Sequence, residues 1–501
     1  MEVLPKLRSL ESILQPINRL PMDVFVLIPR FTREEERLQF VPPTNKPLIT
    51  MTHVCRSWRN TLLSTPSLWT QIDFSLSAKS QQAEVFLRRS GNQLLDIYHH
   101  LRGRDYVEPF LSTMLHNLFR LRGLSIVSYL PYLEPLLRKF SALAPELKYL
   151  EIQSGSTMEP GAQLPNVFGG QMPKLTSLSL YLFHTNLCYL DLPSLTRFSF
   201  VTKKYTSIRR LIFFLERCPL LEFVEIRLSD PLQAPTPPPR RRVCLAALRE
   251  LRLDITAYTT GLLDQLILPK CTEMMLKGRS TDGTLIRRGT PVAQIHPSSI
   301  DHLPVTRGIT KAVAIGGSCT FSGPSGNLSF WWSREIRESV DAHFFTSFFP
   351  VSLLQIRELL IGHGRWTRFG RAWKRVAAGL RGAFEVLTDL EGLTIVHCKM
   401  EPFLQTLGET VDGRILLPEL QRLTVYVWCG DMDVSALIQC TRSRKEHFRP
   451  LEEVTVVWEK DPGAVVRDEV ESLREFVGEL THRVGEAPKL FWRGDECGWR
   501  S

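Results

Sequence analysis

One spacing recurs along this chain and limits what it can fold into: leucine, two residues, leucine, one residue, then leucine or another large apolar side chain. It begins at Leu121, Leu147, Leu175, Leu195, Leu221 and Leu248, and returns at Leu390, Leu420 and Leu451. The first six starts lie 26, 28, 20, 26 and 27 residues apart, and the last three 30 and 31 apart. A single occurrence carries almost no information. Nine at this register predict a stack of similar units, each with an apolar side that its neighbour covers. The closing L-x-L puts alternate side chains inward on a short strand. The leucine three residues upstream fills the turn into it. Prolines at 145, 173, 193, 219, 418 and 450 mark those turns. Segments 132–140, 207–215 and 464–480 read as helices.

The stretch 270–350 is less regular. Residues 268–276 read as a degenerate unit, and 312–315 and 328–331 as strands bounded by Gly-rich turns at 316–318 and 322–326. Pro231 to Pro239 (PLQAPTPPP) reads as a protruding loop ending in Arg240, Arg241 and Arg242.

The N-terminal part has a different pattern. Pro21 can open a helix, because its missing N–H is unneeded in a first turn. Val24, Phe25, Leu27 and Ile28 follow at helical spacing. Residues 32–47 are charged and then Pro-rich. A second helix is expected over 48–63, with Trp58 on its apolar side. Trp69, Ile72 and Phe74 are expected to close a small helical core. Segment 83–90 reads as a helix and 94–98 as a strand.

The chain has 501 residues, 62 Lys and Arg against 52 Asp and Glu, and a formal charge of +10. That excess is modest for this length, and no dense basic stripe or known nucleic-acid module accompanies it, so nucleic acid is not expected as a partner. The N-terminus lacks a basic start before an apolar core, and no run approaches the roughly 20 apolar residues of a membrane span. A cytoplasmic or nuclear protein with no membrane association is expected. The ten Cys form no C-x-x-C pair and show no zinc-ligand spacing. Free thiols, with no metal and no cofactor, are expected.

No catalytic constellation emerges. There is no G-x-G-x-x-G after a strand and no P-loop. Gly316-Gly317-Ser318 lacks the closing glycine of a nucleophile elbow. His99-His100 and Asp341-Ala342-His343 lack the spacing of a helical zinc site. Glu34-Glu35-Glu36 reads as a solvated charge run. Trp331-Trp332 reads chiefly as packing, and the basic-aromatic stretch 365–375 as an amphipathic helix. The chain is not expected to be an enzyme.

Residues 19–74 resemble the F-box-like domain of large fungal families, especially those of mushroom-forming fungi. The resemblance rests on Arg19-Leu20-Pro21-Met22-Asp23-Val24-Phe25, on Val54-Cys55-Arg56-Ser57-Trp58-Arg59-Asn60, and on Leu63-Ser64-Thr65-Pro66-Ser67-Leu68-Trp69-Thr70-Gln71-Ile72. Asp23 stands where the family pattern usually has Glu, and residues 32–47 form an insert. Leucine-rich repeats after an F-box fit the same family. The expected fold is thus an irregular α/β leucine-rich repeat solenoid preceded by a small all-α F-box-like domain. Its expected parts are an extension (1–16), the F-box-like domain (17–74), the array (75–485, less regular at 270–350) and a tail (486–501).

The resemblance implies a substrate-recognition subunit of a cullin–RING ubiquitin ligase. The F-box would dock a Skp-type adaptor, and through it a cullin, while the repeats bind an unidentified target protein. Leu20, Pro21, Val24 and Ile28 are then the candidate docking residues, with Trp58 and Trp69 holding the module together. The alternative is a leucine-rich repeat scaffold for protein interactions without a ligase role.

Overall fold

The computed structural model describes residues 20–485, except 22, 30, 32–44, 75–79, 102–106, 129, 155–161, 164, 166, 182, 185–186, 188–189, 203–207, 229–241, 256–261, 279–302, 316–317, 333–354, 363–380, 383, 386, 397–400, 412 and 428–433. The proline loop at 231–239, the charge run at 34–36, the Gly316-Gly317 turn, the Asp341–His343 pair and the stretch 365–375 therefore lie outside the described residues. So do the extension and the tail.

The expected fold class needs correction. Seventeen strands, most of them parallel, belong to one mixed sheet with helices in the connections, an α/β fold. Among the described residues, no separate all-α domain stands at the N-terminus. The chain leaves its first helices directly as a sheet strand, because Ile72 and Phe74 suit a pleated surface better than a helical core. The sheet is mixed because an antiparallel hairpin interrupts it at 311–332, as described below. The chain divides into two compact units, Met1–Thr206 and Ser207–Ser501.

In the first unit, helix α1 covers residues 23–29. Helices α2 (Lys46–Met51) and α3 (Arg56–Leu63) replace the single helix expected over 48–63. The break has a local cause. Cys55 is extended (φ −153°, ψ 169°), and its Sγ accepts the Trp58 N–H at 3.4 Å, capping α3. A 3₁₀ turn (Pro66–Trp69) leads to β1 (Gln71–Asp73), followed by α4 (Ser80–Arg89), β2 (Leu95–Leu101), α5 (Val107–Asn117), β3 (Leu121–Ser128) and α6 (Leu130–Arg138). Strands β4 (Tyr149–Ser154), β5 (Ser177–Tyr181) and β6 (Arg197–Thr202) complete it.

These six strands pair in parallel, each with the next. The recurring leucines lie in register: Ile72, Ile97, Leu124, Leu150, Leu178 and Phe198 form one buried row. His99, Ile126, Ile152, Leu180 and Phe200 form the next. Each fully buried leucine contributes roughly 1.5–3 kcal/mol, so the rows dominate the energetics of the stack.

The second unit opens with α7 (Ile208–Glu216), β7 (Phe223–Leu228), β8 (Glu250–Ile255) and β9 (Glu273–Gly278). Strand β10 (Lys311–Ile315) then pairs antiparallel with β11 (Ser318–Gly323), which pairs antiparallel with β12 (Gly326–Trp332). Strand β12 lies parallel to β9, and β10 lies parallel to β13 (Glu358–Gly362). The hairpin is thus inserted between parallel neighbours. Its tight turn needs Gly326, where a Cβ would sit 2.0 Å from the Thr272 carbonyl oxygen and φ is +131°. Strands β14 (Gly392–Val396), β15 (Arg422–Val427), β16 (Glu453–Trp458) and β17 (Glu479–Val484) continue the parallel run. Helices α8 (Glu401–Gly408), α9 (Val434–Glu446) and α10 (Ala464–Glu471) lie in the connections. The helix expected over 464–480 stops short, because Leu480 is a buried strand residue in register with Val454.

Buried arginines hold two of the turns. Arg444 on α9 is fully buried and donates to the carbonyls of Leu416 and Leu417, both at 2.9 Å. Burial lowers its pKa from the ordinary arginine value. Arg120 donates to Ser90 Oγ at 3.2 Å and to the Gly91 and Gln93 carbonyls. Each guanidinium supplies donors to turn carbonyls.

Candidate functional site

Helix α1 carries two apolar stripes. At about 100° per residue, Val24, Leu27, Ile28 and Phe31 fall on one side, and Phe25, Val26 and Pro29 on the other. The second stripe is buried, with Phe25 only 5% exposed. Its ring meets Trp58 edge-on, with centroids 4.7 Å apart. The first stripe is open: Val24 is 40%, Leu27 39%, Ile28 38% and Phe31 70% exposed. Leu20, 38% exposed, and the exposed Pro21 stand at the entry, where the Pro21 carbonyl accepts the Phe25 N–H at 2.9 Å.

All four candidate docking residues, Leu20, Pro21, Val24 and Ile28, are therefore at the surface of one helix and its entry. Leu27 and Phe31 join them. Helical spacing was the signal for both. Val54, 58% exposed, lies between α2 and α3.

Trp69 is buried and donates from Nε1 to the Leu62 carbonyl at 2.8 Å. It meets Phe86 edge-on at 4.8 Å and carries the Arg89 guanidinium over its face at 4.5 Å. Trp69 and Trp58 thus act as packing centres for the segment that presents α1. Asn45 adds a bond from Nδ2 to the Gln71 carbonyl at 3.3 Å, tying the start of α2 to β1.

A second feature lies on the second unit, at the starts of β10, β13 and β14. A hollow of about 470 Å³ is lined by Thr310, Lys311, Gln355, Arg357, Glu358, Asp389 and Glu391. A neighbouring groove of about 290 Å³ runs over the outward side chains of β10, β13, β14, β15 and β16. Lys311 Nζ lies 2.7 Å from Glu358 Oε2, and Arg357 Nη1 lies 3.3 Å from Glu391 Oε1. The sequence reading missed this site. It could have found β13, since Ile356, Leu359 and Ile361 repeat the leucine spacing with isoleucine at two positions.

His99 is buried, stacked on Phe110 at 3.8 Å, with Nδ1 3.2 Å from the Phe74 carbonyl. Cys319 is buried on β11, and burial pushes its thiol pKa up, away from thiolate. Cys55, Cys218, Cys244, Cys271, Cys319 and Cys440 are free thiols. Among the described residues, no three His, Cys, Asp or Glu groups are placed to hold a metal, and no helix is long and apolar enough to cross a membrane.

No family model matches the chain, and no curated protein matches it.

Proposed function

We propose that the protein is a substrate-recognition subunit of a cullin–RING ubiquitin ligase. In this reading the exposed stripe of α1 docks a Skp-type adaptor, and the sheet of the second unit receives a target protein. The observation that carries it is the double apolar character of α1. A helix that is apolar on both sides is covered on both sides in its working state. Phe25 and Trp58 account for one side. The stripe of Leu20, Val24, Leu27, Ile28 and Phe31 leaves the other side for a partner, and exposed contiguous apolar surface of this kind marks interaction sites. The resemblance of residues 19–74 to fungal F-box-like domains implies the partner class. The chain itself performs no chemical step in this reading.

A second reading is a protein-interaction scaffold without a ligase role. It is favoured by Asp23, which departs from the family pattern, and by β1, which ties the helical segment into the sheet. Calorimetry with the Skp-type adaptors of the protein's own proteome separates the two. Binding that is lost in a folded Val24→Asp/Ile28→Asp variant supports the ligase reading. Absence of binding to every such adaptor removes it.

A further inference from the structure

We infer that the hollow at the starts of β10, β13 and β14, together with its adjoining groove, seats an extended segment of another protein bearing lysine or arginine. The inference rests on the reading that the second unit receives a target, and it specifies the chemistry of that target.

The site exists because of the inserted hairpin. In the parallel run, each strand start is flanked by a similar turn from its neighbour. Next to β10 the neighbouring strand runs the other way, and a tight turn at Pro324-Ser325 takes that place. The rim beside Thr310 and Lys311 opens into the hollow. The groove then crosses five strands. At about 4.8 Å per strand spacing it runs roughly 19 Å, the length of about six extended residues.

The floor of the groove is shallow and partly apolar. Val313, Leu360, Thr394 and Thr424 occupy one row in register, all half-buried. In the row beside them, Gly392 contributes no side chain between Glu358 and Arg422. Such a floor accepts the methylene stem of a long cationic side chain.

The charges decide the sign of the occupant. Each cation of the site already has a carboxylate. Lys311 and Arg422 both pair with Glu358, Arg422 Nη2 lying 3.6 Å from Oε1, and Arg357 pairs with Glu391. An incoming anion would have to displace one of these. Two carboxylates, by contrast, have no cationic partner among the described residues. Asp389 accepts only the Thr388 hydroxyl at 3.2 Å, and Glu453 only the Thr455 hydroxyl at 3.0 Å. Hollow and groove together thus hold four carboxylates, Glu358, Asp389, Glu391 and Glu453, against three cations, Lys311, Arg357 and Arg422, on a chain whose formal charge is +10. That contrast lets them select a basic segment that the rest of the surface repels.

The test uses the full chain and a displayed library of random decapeptides. Selection on the unmodified protein should enrich Lys- and Arg-bearing peptides, whose binding weakens roughly tenfold or more between low and physiological salt. The Asp389→Asn/Glu453→Gln variant changes no side-chain size and, with an unchanged circular dichroism spectrum, should lose that enrichment. No enrichment, an acidic or neutral consensus, or the same basic consensus on the folded variant would each overturn the inference. Adaptor calorimetry on the same preparation keeps the two readings apart. Basic enrichment without adaptor binding leaves the groove assignment standing and removes the ligase role. Adaptor binding without enrichment removes the groove assignment alone.

Discussion

Arg422 reaches past Gly392 to Glu358, joining the first and third of three parallel strands. A Cβ at 392 would lie 3.5 Å from Arg422 Nη2 and 3.6 Å from Glu358 Cγ, ordinary contact distances. In the first unit a glycine also borders an ion pair, but between adjacent strands. Gly123 lies beside Asp96, which takes two bonds from Arg122, at 2.9 and 2.5 Å. There the space is tighter, because a Cβ at 123 would sit 2.7 Å from Asp96 Oδ1. Gly392→Ala should therefore be neutral or stabilise by up to about 1 kcal/mol through the unfolded chain. Gly123→Ala should destabilise, since it displaces a buried carboxylate. Urea unfolding of both variants checks this; equal effects would show that the crowding at Gly123 is relieved at no cost. A double-mutant cycle on Glu358→Gln and Arg422→Gln should give a coupling of roughly 0.2–1 kcal/mol, because both side chains are half exposed.

Arg444 should be the most sensitive charged residue in the second unit. Its guanidinium replaces water on the Leu416 and Leu417 carbonyls in a turn where Leu417 itself has φ 51°. Arg444→Met keeps the apolar stem and leaves the Leu416 carbonyl without its donor, while the Leu417 carbonyl keeps the Leu420 N–H at 3.1 Å. A loss of about 1–3 kcal/mol is expected from one unsatisfied buried acceptor. Arg444→Lys should recover only part of it, since an ammonium lacks the planar fork that serves adjacent carbonyls. Equal stability of Met and wild-type proteins in denaturant titrations would mean that water replaces the guanidinium freely.

Phe448 ends α9 in a left-handed conformation, φ 59°, and is 92% exposed. The Arg449 N–H bonds to the Arg444 carbonyl at 2.9 Å, and the Phe448 N–H to the Lys445 carbonyl at 3.0 Å. This is the helix-ending motif that normally takes glycine. Phe448→Gly removes side-chain strain and no buried contact, so it should stabilise by roughly 0.5–1 kcal/mol. A destabilised Phe448→Gly variant would show that the exposed ring holds something in place.

Acid should weaken the C-terminal end of the second unit through Glu471. Its bond from Arg474, and then that from His482 Nε2 at 2.7 Å, hold its pKa down at about 2, from an ordinary 4.5. A depressed folded pKa means that the unfolded chain takes up the proton first. The stabilisation is complete above pH 4.5 and is lost as pH falls towards 2. Glu471→Gln should flatten the acid limb of a stability-against-pH curve in that window and leave its shape above it unchanged.

The rows of the sheet were legible because alternation on a strand depends only on nearest neighbours. Leu178 and Leu251 are buried where the leucine spacing puts them. What was not legible came from partners distant in sequence. Val477, Leu480 and His482 repeat the same spacing, but the helix-like stretch before them masked β17. The strands at 312–315 and 328–331 were visible, but β11 between them was not, and only pairing with β9 and β13 reveals that it runs antiparallel and mixes the sheet. On α1 two apolar stripes could be foreseen, but not which of them would be buried, since both satisfy a helical period. The acidic hollow was invisible for a related reason. Charged residues at outward strand positions read as solvated surface until Glu358, Gly392 and Arg422 are brought into one row.

The two stripes of α1 should respond in opposite ways to substitution. Phe25 is packed edge-on against Trp58, so Phe25→Ala removes a buried ring and should cost roughly 3 kcal/mol within the helical segment. Protease sensitivity around residues 20–63 should rise, while the sheet rows, which bury their own leucines, keep their unfolding transition. Val24 and Ile28 sit on the open stripe, each about two-fifths exposed. Replacing both with Asp puts charge into solvent in the free protein and should change stability by no more than about 0.5 kcal/mol. The same charges would be buried and unpaired under a docked adaptor, where each is strongly unfavourable. Adaptor binding should then fall by two orders of magnitude or more, since about 3 kcal/mol is a factor above 100. Leu27→Asp and Phe31→Asp should act in the same direction, because they share the stripe. Limited proteolysis and calorimetry on the same samples read both effects. If the folded Val24→Asp/Ile28→Asp protein binds as tightly as wild type, the adaptor meets another surface. If that variant is instead cleaved as readily as Phe25→Ala, the open stripe is part of the core and the assignment of the two faces is reversed.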